Sequence, residues 1–217
     1  KGVHDMSDIV FLSGKRTPFG TFMGALSSIS ANDLGVIASK AALEQAGVAA
    51  TDIDHVIFGN VLQTSGDAIY GARHIGLKAG TSIETPAVTV NRLCGSGIQS
   101  VVSAAHSMLL GESKLCLAGG MENMSQVPHV IRGAREGFRF GMEPKIEDLL
   151  FAALYDPFCK FFMAQTAENV AKKVGISREE QDEYALRSHQ LGAAAVKAGK
   201  FAAEIAPMTV TKGRKEF

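Results

Sequence analysis

The sequence has no tryptophan, only three cysteines in 217 residues, and no excess of either charge, with 22 basic and 22 acidic side chains. Each shortage excludes a class of protein. Cys94, Cys116 and Cys159 are odd in number and far apart, with no C-x-x-C pair. That argues against a disulfide framework or a zinc knuckle and for a reducing compartment. The balanced charge, without a long basic run, argues against a nucleic-acid partner. No apolar stretch approaches the roughly 20 residues that span a bilayer, and the N-terminus carries no signal-like segment. The expectation is therefore a cytoplasmic protein, or one of an organelle matrix, without a membrane partner. Residues 1–5 read as foreign to the fold and Met6 as the natural start.

What is present is ordinary for a globular chain: 46% apolar and 20% charged residues, enough for one good core with a smaller appended unit. There is no internal repeat or low-complexity tract. "DIVFLSG" (8–14) reads as a buried strand closed by glycine. Ser30 and Asp33 open a helix whose apolar face is Leu34, Ile37, Ala38 and Ala41, and Gly47 stops it. "HVIFGNVL" (55–62) reads as a strand and residues 67–80 as a helix ending at Gly80. "PAVTVNRL" is strand-like; Ile98, Val101, Val102, Ala105, Met108 and Leu109 then recur at helical spacing until Gly111, and "KLCLAGG" (114–120) follows as a strand. This alternation predicts an α/β fold with a mainly parallel sheet and helices on both faces. Residues 121–163 lose regular periodicity, as functional loops or a small excursion domain do. Helices return at 166–175 and, behind the capping pair Ser177 and Glu180, up to about Gly199. Residues 207–217 read as a strand running into a basic turn.

Cys94 stands where a strand hands over to a helix, with Gly95 and Gly97 just after it. Helix-opening N–H groups and the positive end of the dipole favour an anion there. A thiolate at that place is a competent nucleophile, and the two glycines let a substrate oxygen approach backbone N–H donors. Cys116, in an apolar strand, and Cys159, in the irregular segment, read as packing residues. "GSGIQS" also approaches a dinucleotide-binding fingerprint, with Glu122 beyond the next strand, but Ser100 replaces the third glycine where helix and sheet pack closely. A hydrolase-type elbow fits less well, because Arg92 is large for so sharp a turn. No general base emerges. His106 lies twelve residues along the same helix, roughly 18 Å away. His55, His74, His129 and His189 read as surface or structural residues.

"NRLCGSG" followed by "AGGMENMS" resembles the thiolase family of acetyl-CoA C-acyltransferases. So do "KRTPFG" (15–20), "GNVLQ" (59–63), "MAQTAENVA" (163–171) and "KGRK" (212–215). The resemblance covers the chain from Met6 onward. It implies an N-terminal α/β core over 6–120 that carries the nucleophile and a loop domain over 121–217 that covers coenzyme A. Chemically it implies Claisen condensation or thiolytic cleavage of 3-ketoacyl-CoA through an acyl thioester on Cys94, supported by Gly95 and Gly97. Acyl-CoA and CoA are then substrates and products, no metal or redox cofactor is used, and the protein is a homodimer or homotetramer with "GNVLQ" at the subunit interface. Leu154, Phe162 and Met163 fall where the family lines its pantetheine and acyl tunnel.

Three departures qualify this. Phe162 and Ala164 replace the His-Met-Gly pattern of short-chain members, which puts chain-length preference in question. Asn123 stands where serine is usual. Family members also run to nearly twice this length, and their second half supplies the activating histidine, a second cysteine and an oxyanion asparagine. A non-catalytic CoA-binding or oligomerisation half is therefore the alternative, and a dinucleotide-binding oxidoreductase a more distant one.

Overall fold

The computed structural model describes residues 9–212, 215 and 216. The reading of Met6 and two residues of "KGRK" lie outside them. Ser30 opens helix α1, Ala31–Ala46, by accepting the Asp33 N–H at 3.0 Å, and Gly47 ends it with a left-handed φ of 65°. The chain forms two units. The first runs to Gln126 and resumes at Glu204; the second is Val127–Ala203.

In the first unit, strands β1 (His55–Gly59), β2 (Ala87–Val90) and β3 (Cys116–Gly120) form a parallel sheet in the order β2-β1-β3. Val90 and Gly120 both register with Gly59, so all three strands end level. Helix α2 (Gly71–Ala79) connects β1 to β2, and α3 (Ser96–Leu109) connects β2 to β3. These crossovers step in opposite directions across the sheet, so their common handedness puts the two helices on opposite faces. Val56 meets Gly76 of α2, while Gly59, three residues on and facing the other way, meets Ser96 of α3. The apolar core lies on the α1–α2 side, among Val36, Leu43, Val56, Phe58, Ala72, Ile75 and Leu117.

The sequence pattern is corrected at three places. First, residues 9–14 form no strand: Val10, Phe11 and Leu12 are exposed, and the ladder contact nearby is a single bridge from Arg16 to Ile205. Strand-like residues become a strand only where a neighbouring edge takes their backbone hydrogen bonds. Second, of the expected α1 face only Leu34 is buried; Ile37, Ala38 and Ala41 are half-buried, and Ala31, Asn32, Gly35, Val36, Ser39 and Leu43 complete the face that lies inside. A Cβ on Gly35 would lie 2.7 Å from Ile75 Cδ1, so α2 nests in a groove made by small residues.

Third, α3 buries a stripe other than its apolar one, leaving Val101, Ala105, Met108 and Leu109 half-buried. It buries Ser96, Ser100, Ala104 and Ser107, while Ile98 is 74% exposed and Val102 also faces out. A helix this close to the sheet has room only for small side chains: a Cβ on Gly59 would stand 2.5 Å from the Ser96 carbonyl carbon. The buried hydroxyls are satisfied, Ser100 by donating to the Gly97 carbonyl at 2.7 Å and Ser107 by accepting from Ser113 Oγ at 2.9 Å.

Glu122 and Asn123 are anchored in the first unit, which runs on to Gln126. The chain also returns at Glu204, which accepts from the Arg16 backbone at 2.9 Å and from its guanidinium at 3.1 Å. The second unit pairs β4 (His129–Ile131) with β5 (Ile146–Asp148) and β6 (Tyr155–Asp156) with β7 (Phe161–Phe162), both antiparallel. Helix α4, Leu149–Ala153, is capped by Asp148. Helix α5, Met163–Val174, stops at left-handed Gly175, and α6, Arg178–Lys197, opens on the reciprocal Ser177–Glu180 box. Near the C-terminus, β8 (Thr211–Lys212) pairs with β9 (Lys215–Glu216).

Candidate active site

Cys94 is exposed, in a five-residue link between β2 and α3, at the carboxyl ends of the parallel strands where open α/β sheets place their ligands. The link is a tight turn. Leu93 adopts a left-handed φ of 50°, unusual for a branched side chain. Its N–H donates to Asn91 Oδ1 at 2.9 Å. The Gly95 N–H closes back on the Arg92 carbonyl at 3.1 Å, and Arg92 turns its guanidinium out to Gln99 Oε1 at 2.8 Å. A large residue therefore tolerates this sharp turn because its side chain leaves it.

Gly95 is the N-cap of α3 and Gly97 lies in the open first turn, the place where helix amides lack intrahelical acceptors. A Cβ on Gly120 would lie 3.5 Å from Gly97 Cα. Glycines on both elements thus bring the mouth of the helix down onto the sheet beside Cys94.

Among the described residues no histidine is hydrogen-bonded to Cys94. The Nδ1 of His55 meets Ser107 Oγ at 3.3 Å, and that of His74 meets Asp67 at 3.0 Å; His106, His129 and His189 are exposed. Cys116 is half-buried, and burial pushes its thiol above the ordinary range, more than its contact with Ser113 Oγ lowers it. Cys159 is exposed and hydrogen-bonded to Asp156. Among the described residues no three His, Cys, Asp or Glu side chains converge as metal ligands, and no helix is long and apolar enough to cross a membrane.

Two of the singled-out motifs meet in space. Glu122 accepts from Asn60 Nδ2 at 3.0 Å and from the Val61 and Leu62 N–H groups at 3.0 and 3.1 Å. "GNVLQ" is thus tied to "GGMEN", and Glu122 is used up holding a loop. Asn123 donates to the Ile29 carbonyl at 2.6 Å. Nothing in the local spacing pointed to these roles, because the partners are some 60 to 95 residues away.

Leu154, Phe162 and Met163 lie together in the second unit. Leu154 closes α4, Phe162 is in β7 with its ring 4.8 Å from Phe151 and 5.1 Å from Tyr155, and Met163 begins α5. Leu154 and Met163 are exposed.

Residues 9–217 match the thiolase N-terminal domain. The chain is 48% identical over 209 residues to the human mitochondrial 3-ketoacyl-CoA thiolase, covering 96% of this chain and 53% of the relative. It is 46% identical over 208 residues to the β-ketothiolase BktB of Cupriavidus necator, covering 96% and 52%. Its fold is similar to the crystal structure of the human enzyme in complex with CoA, at a TM-score of 0.91 and 48% identity over 95% of this chain and 52% of that one. It is also similar to that of the Bacillus anthracis acetyl-CoA acetyltransferase, at a TM-score of 0.89 and 38% identity over 96% and 52%. The chain spans about half the length of the curated relatives it matches.

Proposed function

This chain belongs to the thiolase family through its N-terminal domain, and from that premise we propose that it carries the acyl-accepting half of a thiolase-type acyltransferase. Cys94 is the nucleophile. Its sulfur attacks the thioester carbonyl of an acyl-CoA; a new C–S bond forms as the bond to coenzyme A breaks, and the departing CoA sulfur takes the electron pair and a proton. In the thiolytic direction the bond broken is the C–C bond beside the keto carbon of a 3-ketoacyl-CoA. The leaving acetyl-CoA carbanion is protonated, and a second CoA thiol then releases the acyl group. The amides around Gly95 and Gly97 support the developing oxyanion.

One observation carries this reading: an exposed cysteine at the mouth of α3, in a chain about half identical to known thiolases across nearly its whole length. The second unit is proposed to cover CoA, with Leu154, Phe162 and Met163 along the pantetheine and acyl path. The apolar surface beside the Phe151–Tyr155–Phe162 rings supports that assignment. The test is incubation with acetyl-CoA or acetoacetyl-CoA followed by digestion and mass spectrometry. An acetyl adduct on Cys94 is expected; adducts on Cys116 or Cys159 with Cys94 unmodified would count against the assignment.

A second reading is favoured by the histidines near the sheet, whose ring nitrogens meet Ser107 and Asp67 rather than Cys94. In it, the chain binds CoA or assembles with further copies without turnover. It predicts saturable CoA binding by calorimetry with no adduct on Cys94. Sedimentation would decide between dimer and tetramer.

A further inference from the structure

We propose that Ser96 is a positioning residue for Cys94, its buried hydroxyl closing the turn that presents the cysteine; this rests on the reading of Cys94 as acyl acceptor. Ser96 is 4% exposed and two residues beyond the nucleophile. Its Oγ accepts the Arg92 N–H at 2.8 Å and donates to the Leu93 carbonyl at 2.6 Å. The Ser96 backbone N–H also donates to that carbonyl, at 3.0 Å. One side chain therefore spans Cys94 and grips the two residues that precede it.

The grip has a purpose in the geometry. A left-handed leucine persists only where its surroundings over-determine it, and here the Leu93 N–H is held by Asn91 while its carbonyl is held twice by Ser96. A Cβ on Gly59 would stand 2.7 Å from Ser96 Cβ, so the serine is wedged against the end of β1. Removing the hydroxyl leaves the Arg92 N–H without its acceptor in a part-buried place and takes one of its two bonds from the Leu93 carbonyl, loosening the left-handed turn. Cys94 then loses its fixed place before the helix amides.

The experiment compares the full chain with Ser96→Ala, Ser96→Thr and Asn91→Ala. The readout is the iodoacetamide rate at Cys94 divided by that at Cys159 in the same molecule, followed by peptide mass spectrometry, with circular dichroism and thermal midpoint recorded in parallel. Ser96→Ala is expected to lower the ratio several-fold as the sulfur leaves the helix amides that favour its thiolate, with helix content unchanged. Ser96→Thr, which keeps the hydroxyl, should restore most of it. Asn91→Ala, on the solvent side of the same turn, should lower it by a few-fold and decides the matter if Ser96→Ala does not fold. An unchanged ratio in the folded variants overturns the proposal. A ratio that depends on Ser96 while the unmodified chain takes no acetyl group from acetyl-CoA keeps the positioning role and removes the acyl-acceptor reading instead.

Discussion

Cys116 and Cys94 carry the same atom into different surroundings. Cys116 begins a strand under α3, where burial disfavours its thiolate. Iodoacetamide at neutral pH is expected to modify it more slowly than Cys94, because burial both shields the sulfur and disfavours its thiolate. The sign for stability follows. With its folded-state value raised, the unfolded chain ionises first as pH climbs through the ordinary thiol range. Stability therefore falls with rising pH, and Cys116→Ser should flatten that decline in urea melts between neutral and alkaline pH. Glu122→Gln tests another residue whose role lies in distant partners. It leaves an amide facing the Val61 or Leu62 N–H and should cost about 1–3 kcal/mol in thermal unfolding. The place of Cys94 was readable from its neighbours in sequence because a strand-to-helix turn is local. Glu122 was not, because its three donors come from another loop.

In helix α3 the face inside is the small one. Periodicity put Ile98 and Val102 in the core, yet Ser96, Ser100, Ala104 and Ser107 occupy it. Hydrophobic spacing marks a face able to bury itself; separation between helix and sheet decides which face fits. Gly59 sets that separation at the end of β1. Gly59→Ala is expected to destabilise the first unit by on the order of 3 kcal/mol, because the obstruction is backbone and cannot rotate away. Helix ends were far more legible. The Ser177–Glu180 box forms as the spacing predicts, with the Ser177 N–H donating to Glu180 Oε2 at 2.8 Å and the Glu180 N–H to Ser177 Oγ at 3.2 Å. Ser177→Ala should cost α6 about 1 kcal/mol, visible as faster hydrogen exchange in its first turn. Caps are read within four residues, so tertiary structure has little to change.

For the chain as a whole, polar ties between distant elements set the boundaries of its units and its response to acid. Asp67 accepts from His74 at 3.0 Å, from Ser65 at 2.7 Å and from Lys78 at 3.3 Å, while Lys78 also reaches Asp33 at 2.8 Å. These bonds, that from His74 foremost, hold the Asp67 carboxyl well below the usual carboxylate range; Lys78 and Ser30 hold Asp33 below it as well. Both lowered values stabilise the fold above the ordinary carboxylate range, and that contribution is lost as pH falls through the folded values. Asp67→Asn should accordingly lower the thermal midpoint at neutral pH, with the gap from the unmodified chain narrowing as acid is added. The same kind of tie explains why the first unit ends after Gln126 and takes up Glu204 again. Asn123 and Glu204 are side chains whose partners no window of sequence contains.

The order of helices and strands around the parallel sheet, most of their ends and the place of Cys94 at a strand-to-helix turn were determined by the sequence itself, because caps, glycine stops and such a turn act over a few residues. Tertiary structure decided which face of α1 and α3 lies inside, that residues 9–14 pair with no strand, where the units divide, and how Ser96 holds its turn. Those outcomes depend on the spacing between packed surfaces and on hydrogen bonds between residues far apart in the chain, and neither is a property of any short stretch.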